Sequence, residues 1–223
     1  MDDITNKLDD KCIALRNLLF EAKGALDSYK YLTLNASEID RNYQAFFWLI
    51  QRWAVRIYTI NICMICELEK DYPLNSIPGI IKFICENNMT LKGNSAINDF
   101  ISRNTTLVGT ACKGEIEKVE SIVGNYFKNN QSAFYEFRNA RHKVFSHSES
   151  EFKLTSLPSY DTMERVLFFC IEVHRVIMSA YLNVVAHLIV NDNRFISSAV
   201  KLLEGIGVKD VKSCFDDDII KNK

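Results

Sequence analysis

An all-α fold, with long helices packed in a bundle and shorter ones around them, is what this chain predicts. Three observations lead there. Gly (8) and Pro (3) are scarce among 223 residues, so the many turns of an all-β chain lack the residues that make them. Apolar residues recur at helical spacing over long stretches. Hydrophobic residues make up 48% of the chain, with 14 Phe and 9 Tyr, enough for a sizeable core and too many for disorder outside the termini. The length suits one domain over 1–223, with a core from about 10 to 190 and a C-terminal helix and acidic tail over 191–223.

The elements follow in order. Asp2 to about Ser28 places Ile4, Leu8, Ile13, Leu15, Leu18, Leu19 and Ala22 at near-helical intervals. Asn35-Ala36-Ser37-Glu38 offers an N-cap for a long helix reaching about Glu69. That helix is apolar on nearly all sides, with Phe46, Phe47, Trp48, Leu49, Ile50, Trp53, Val55, Ile57, Tyr58, Ile60 and Ile62. Such a helix sits at the centre of a bundle, or between a core and a partner. Asp71 to Ser76 is a break. Ser76 caps the next helix, Pro78 falls in its first turn, and the helix runs to about Asn87. Gly93-Asn94-Ser95 leads to a short helix over Ala96–Ser102, and 103–114 reads as irregular, with Gly109 and Gly114 as breakers. Glu115 to about Phe127 is amphipathic. Lys128 to Ser132 reads as a turn with a cap, and Ala133 to about Phe145 as a helix. Ser148 to Glu151 is a polar exit, and Leu157-Pro158-Ser159 ends a loop. Asp161 to Val190 reads as the second long helix. A last helix over Arg194–Glu204 stops at Gly205 and Gly207, and the Asp216–Asp218 run reads as a solvated tail. There is no internal repeat and no glycine-rich phosphate loop.

Net charge is −1 and the pI about 6.4. Proteins that coat nucleic acid non-specifically carry excess positive charge. Any RNA contact here falls to a local basic cleft. The seven cysteines, at 12, 63, 66, 85, 112, 170 and 214, lie mostly in apolar helical patterns, which suits reduced thiols in cytosol. Cys63-Met64-Ile65-Cys66 has CxxC spacing, but its flanks are apolar and no second CxxC or histidine lies near, so packing is preferred over zinc or redox chemistry. No His/Asp/Glu cluster has ligand spacing, so neither a metal nor a cofactor is expected. The first ten residues carry four aspartates and no apolar stretch, so no signal peptide is expected. The most apolar segment, Val166–Val190, is broken by Glu172, His174, Arg175, Asn183 and His187, so no membrane partner is expected either.

The chemistry concentrates in Arg141-His142-Lys143-Val144-Phe145-Ser146-His147. Phosphodiester chemistry without a metal needs a proton carrier near neutral pH and a fixed cation for the phosphorane's charge. Histidine titrates there. Arginine stays charged and presents a fork that fits phosphate oxygens. In this reading His147 moves the proton and Arg141 holds the phosphate. His142 and Lys143 support the site by positioning the backbone of the substrate. On an ideal helix Arg141 and His147 stand about 120° apart around the axis and about 9 Å apart along it. Either the helix ends before His147, or two copies of the motif meet across a two-fold axis.

Residues 137–149, Phe-Arg-Asn-Ala-Arg-His-Lys-Val-Phe-Ser-His-Ser-Glu, resemble the HEPN superfamily. Its pattern is Arg, a polar residue, and a His after four to six intervening positions. Here five separate Arg141 from His147, and His142 fills the polar slot. Lys143, Phe145 and Ser146, with Ala54-Val55-Arg56-Ile57-Tyr58 in the long helix, resemble the abortive-infection, AbiU-like branch. The resemblance implies a helical up-and-down bundle built on two long antiparallel helices, a two-fold homodimer, and a metal-independent endoribonuclease. It further implies a cytoplasmic prokaryotic protein of antiviral defence or of a toxin–antitoxin pair, whose partners are RNA and a nucleotidyltransferase-type antitoxin. Some relatives only bind.

Bland readings stand beside these. His147 in a last turn satisfies helix carbonyls. Arg141 pairs with Glu136, Glu149 or Glu151. Arg138 and Asn139 fall outside the pattern and read as surface or capping residues. His174 and His187 read as core or interface histidines, and Phe46 to Trp48 with Trp53 as core and not a base-stacking platform. The alternative function is a non-catalytic helical dimer that binds a nucleotide, RNA or a partner protein.

Overall fold

The computed structural model describes residues 3–68, 74–142, 157–184 and 194–208. These are helical and, among the described residues, contain no strand. The order is α1 (Asp3–Leu34), α2 (Arg41–Ile65), α3 (Ile77–Glu86), α4 (Ser95–Arg103), a 3₁₀ turn (Thr105–Leu107), α5 (Glu115–Asn129), α6 (Gln131–Arg141), α7 (Tyr160–Ile177), a π turn (Met178–Leu182) and α8 (Arg194–Gly205).

α1 buries Leu8, Cys12, Leu15, Leu19, Ala22 and Leu26, one every three or four residues. The helix runs past the expected end near Ser28, and its last turns bury Tyr31 and Leu32 on other sides, Leu32 against the smaller cluster around α8. The cap expected in Asn35–Glu38 lies elsewhere. Asp40 caps α2, its carboxylate accepting from the Asn42 N–H at 2.8 Å. Asn35 is buried and serves the end of α1, donating from Nδ2 to the Tyr31 carbonyl at 3.0 Å. α3 begins as expected, the Ser76 hydroxyl accepting from the Gly79 N–H at 3.1 Å. Position 79 requires glycine, since a Cβ there would stand 2.5 Å from the Leu74 carbonyl oxygen. α5 starts with the Glu117 carboxylate accepting from the backbone N–H groups of Lys113 and Gly114, which holds its pKa below the usual range.

The seventh helix departs from expectation. The sequence reads as helix to Val190, but the α-helical pattern ends at Ile177 and passes into the π turn. Asn183 then takes the left-handed conformation, φ 56°, which ends helices. The Ala180 carbonyl turns outward to accept from the Lys92 and Gly93 N–H groups at 2.7 and 3.2 Å. That diversion anchors the α3–α4 linker and explains the break. Residues 185–193, including His187, lie outside the described residues.

The long antiparallel pair is α1 with α2, not the second and seventh helices as the sequence suggests. α7 packs on α1, α3 and α4, α5 joins α3 and α4, and α6 lies on α2. One main core joins α1 to α7. A smaller cluster of Leu32, Ile39, Phe47, Leu203 and Val208 seats α8 beside the α1–α2 turn. At the centre Tyr58 is fully buried, and its hydroxyl donates to the Met163 carbonyl of α7 at 2.6 Å. Tyr126 stacks on Phe169, ring centroids 3.6 Å apart, closing α5 onto α7.

His174 is a core histidine, 2% exposed. Its Nε2 meets the Cys12 carbonyl at 3.0 Å. A carbonyl only accepts, so Nε2 carries the proton. The α2 aromatics do not follow expectation. Phe47 is buried, but Phe46, Trp48 and Trp53 stand 55%, 52% and 52% exposed. The all-round apolar character of α2 arises because only one side of it meets the core.

Two stability predictions follow from this packing. Tyr58→Phe keeps the ring and loses the hydroxyl's hydrogen bond, so urea unfolding should show a loss of about 0.5–1.5 kcal/mol with an unchanged far-UV spectrum. Burial, and to a smaller degree Arg16, hold the His174 pKa below its ordinary 6.5, against the pull of the Cys12 hydrogen bond. As pH falls through 6.5, the unfolded chain takes up a proton that the folded chain refuses, and stability declines. His174→Gln can still donate to Cys12 but cannot titrate. Its unfolding free energy should therefore drop less between pH 7.5 and 5.5 than that of the wild type.

A cationic cavity at the end of α6

α6 is eleven residues long and amphipathic. Ala133, Phe137 and Ala140 are buried against the bundle at spacings of four and three. Phe137 meets Tyr58 edge to face at 5.8 Å and Phe134 at 6.3 Å. With that side fixed, the last turn turns its arginines toward the C-terminal end of α2. Between them lies a cavity of about 300 Å³, lined by Cys63, Cys66, Glu67, Leu68, Phe134, Arg138, Arg141 and His142.

Arg141, picked out by the sequence, is at this cavity. Its Nη1 lies 3.5 Å from Glu67 Oε2. Of the carboxylates expected beside it, Glu136 is not its partner, and among the described residues that partner comes from the far end of α2. Glu149 and Glu151 lie outside the described residues. Both Arg141 and Glu67 are about one-third exposed, so water and salt weaken the pair. His142 caps α6, its N–H bonded to the Arg138 and Asn139 carbonyls, and its exposed side chain lines the same cavity. Lys143 and His147 lie outside the described residues.

The cavity floor is sulfur. Burial pushes the Cys63 thiol up to about 11, although Arg141 and Arg138 pull it down. The Cys66 thiol is also pushed well above its ordinary value, first by burial and then by its contact with Cys170, Sγ to Sγ 3.6 Å. Both are therefore neutral thiols at physiological pH. The walls hold two guanidinium groups and one carboxylate. Such a site can hold an anion with more than one oxygen.

Arg138 is the residue that sequence reasoning set aside. It falls outside the Arg–His pattern, yet it lines the cavity with Arg141. The signal was its i,i+3 spacing to Arg141 at the end of an amphipathic helix, which puts both arginines at one end of one face.

The model of the AbiU2 family, a HEPN family, matches residues 2–200. The chain belongs to the AbiU2 family. No curated protein and no solved structure matches it. The match takes in α1 to α7 and the whole cavity, so the cavity is a feature of this AbiU2 chain's HEPN domain. Among the described residues, no helix is long and apolar enough to cross a membrane. No group of three or more His, Cys, Asp or Glu among them could hold a metal ion.

The arginines' hold on Cys63 is measurable. With its thiol near 11, Cys63 should react with iodoacetamide far more slowly at pH 8 than a free cysteine, whose pKa is about 8.5. Arg141→Ala removes the cation that lowers this pKa most, and should slow the reaction further. Mass spectrometry of the Cys63 peptide against time reads both.

Proposed function

We propose that this AbiU2-family chain is a metal-independent endoribonuclease acting in prokaryotic antiviral defence or as the toxin of a toxin–antitoxin pair. The observation that carries this reading is the placement of Arg141 and His142 at one cavity on the last turn of α6, immediately before the segment that contains His147. Family membership and the Arg141-His142-x₄-His147 pattern support it.

In this reading the phosphodiester lies against Arg141. His147 serves in proton transfer, and the substrate's 2′-hydroxyl attacks the adjacent phosphorus. The 2′-O–P bond forms and the P–5′-O bond breaks, giving a 2′,3′-cyclic phosphate and a 5′-hydroxyl. The guanidinium stabilises the charge that builds on the phosphorane oxygens. His142 and Lys143 steady the substrate backbone.

The active form in this reading is a two-fold homodimer. Exposed Phe46, Leu49, Trp53, Ile57 and Met64 fall within an arc of about 80° on α2, at 100° per residue. A continuous exposed apolar stripe of this kind marks an interface. It ends beside the cavity, where Leu68 is also exposed. A two-fold axis near that end would let two motifs face each other. A nucleotidyltransferase-type antitoxin belongs to the same reading.

The test uses purified protein and single-stranded RNA. Cleavage should persist in a chelator and leave cyclic phosphate ends. His147→Ala should lower the rate about 10²–10⁴-fold, and Arg141→Ala about 10²–10³-fold. Melting curves should show both variants folded. Wild-type cleavage by both folded variants would replace the enzyme with a binding module. Separately, light scattering should find a dimer that Trp53→Glu dissociates, and a monomeric wild type at micromolar concentration would remove the interface.

A further inference from the structure

We infer that Arg138 and Arg141 together form a two-guanidinium cradle for one RNA phosphodiester, with Glu67 as the counter-carboxylate that the phosphate displaces. This rests on the ribonuclease reading of the cavity and adds two residues to it.

Charge makes the case. Among the described residues, the cavity brings two guanidinium groups against a single carboxylate. Glu67 pairs with Arg141. Among the described residues no carboxylate pairs with Arg138. The thiols below are neutral, because burial drives Cys63 and Cys66 upward, so no thiolate offsets the surplus. Among the described residues lining the cavity, the guanidinium groups therefore outnumber the carboxylates by one.

The end of a helix tolerates arginine for its own reasons. The carbonyls of the last turn carry partial negative charge, and Arg138 and Arg141 suit it. That effect explains one exposed arginine reaching into solvent. It does not explain two arginines lining one cavity of about 300 Å³ together with a carboxylate that pairs with one of them. A tetrahedral phosphodiester offers two unesterified oxygens, one for each fork.

Glu67 has a definite part in this arrangement. It is about 39% exposed and 3.5 Å from Arg141, close enough to hold the guanidinium in place and weak enough to yield. A phosphate brings its own charge and displaces it. Glu67 is thus a positioning residue that lowers phosphate affinity while the site waits.

The experiment measures binding without cleavage. The probe is a fluorescein-labelled single-stranded 2′-O-methyl oligonucleotide, which lacks the attacking hydroxyl, read by anisotropy across a salt series. Arg138→Ala should weaken binding about tenfold and reduce the salt slope by about 0.7, the value for one phosphate contact on a single strand. Arg138→Lys should restore the slope but only part of the affinity, because a point charge lacks the fork. Glu67→Gln should tighten binding about threefold. If Arg138→Ala binds and screens like wild type while Arg141→Ala weakens, the cradle is wrong and the ribonuclease reading stands on Arg141 alone. Loss of affinity on Glu67→Gln would likewise overturn the displaceable carboxylate. If neither arginine matters to binding, the cavity is not a phosphate site. Cleavage of unmodified RNA, and its loss in His147→Ala, then judges the enzyme independently. Arg138 is exposed, so folding of its variants is expected and is checked by melting.

Discussion

The seating of α6 on α2 is the constraint from which the site follows. α6 has three buried residues, Ala133, Phe137 and Ala140, with Phe134 packed on the core and on Phe127 beside them. Phe137 is the largest of them, and it rests on Tyr58. Tyr58 is in turn held by the Met163 carbonyl of α7. Rotation of α6 by one residue would turn its apolar face by about 100°, expose Phe137 and carry both arginines off the cavity. The core therefore fixes the angle at which the cations face α2. Two small alanines flanking Phe137 let the helices approach closely, which is why a helix of eleven residues suffices.

Locality is the second theme. The chain's net charge of −1 gives no long-range attraction for a polyanion. Among the described residues, the surplus at the cavity comes from two arginines set against one carboxylate, not from many cations. Buried sulfur supplies a polarisable, neutral floor where a carboxylate or a hydrated hydroxyl would compete. The CxxC spacing of Cys63 and Cys66 thus has a packing explanation with a consequence for the site. It puts two thiols on adjacent turns at the end of α2, below the arginines.

What was legible in the sequence depended on how local its cause is. The Ser76 cap could be read because a cap lies within three residues of what it bonds, although the cap of α2 is Asp40 and not a residue of Asn35–Glu38. Arg141 was legible because its pattern is local too. Its partner was not. Glu67 stands seventy-four positions earlier and meets Arg141 only through the α2–α6 packing. The end of α7 was missed for the same reason, since the Ala180 carbonyl leaves the helix to meet the Lys92 and Gly93 N–H groups. Periodicity in 178–184 reads as helical because composition does not record where a carbonyl points. The exposure of Trp48 and Trp53 was missed in yet another way. Hydrophobicity says that a side chain leaves water somewhere, and the described chain leaves about half of each of these two in solvent, with only the Arg52 guanidinium over the Trp48 ring.

α2 is thereby divided among three tasks by angle and by length. The side bearing Phe47, Ala54, Tyr58 and Ile62 belongs to the core. The stripe from Phe46 to Met64 belongs to solvent, or in the proposed dimer to a partner. Near and just past its end, Cys63, Cys66, Glu67 and Leu68 belong to the cavity. Because these sets overlap little, a substitution at Trp53 tests the surface without touching Tyr58 or Glu67. They do meet at one place. Met64 lies one turn before Leu68, and Glu67 stands between them in sequence. A partner covering Met64 and Leu68 would exclude water near Glu67, and a drier Glu67–Arg141 pair is harder to separate. In such an assembly a phosphate would have to replace the carboxylate within a lower dielectric, where its own bonds to the guanidinium groups also strengthen. Docking and anion binding would then be linked through a single glutamate at the end of α2.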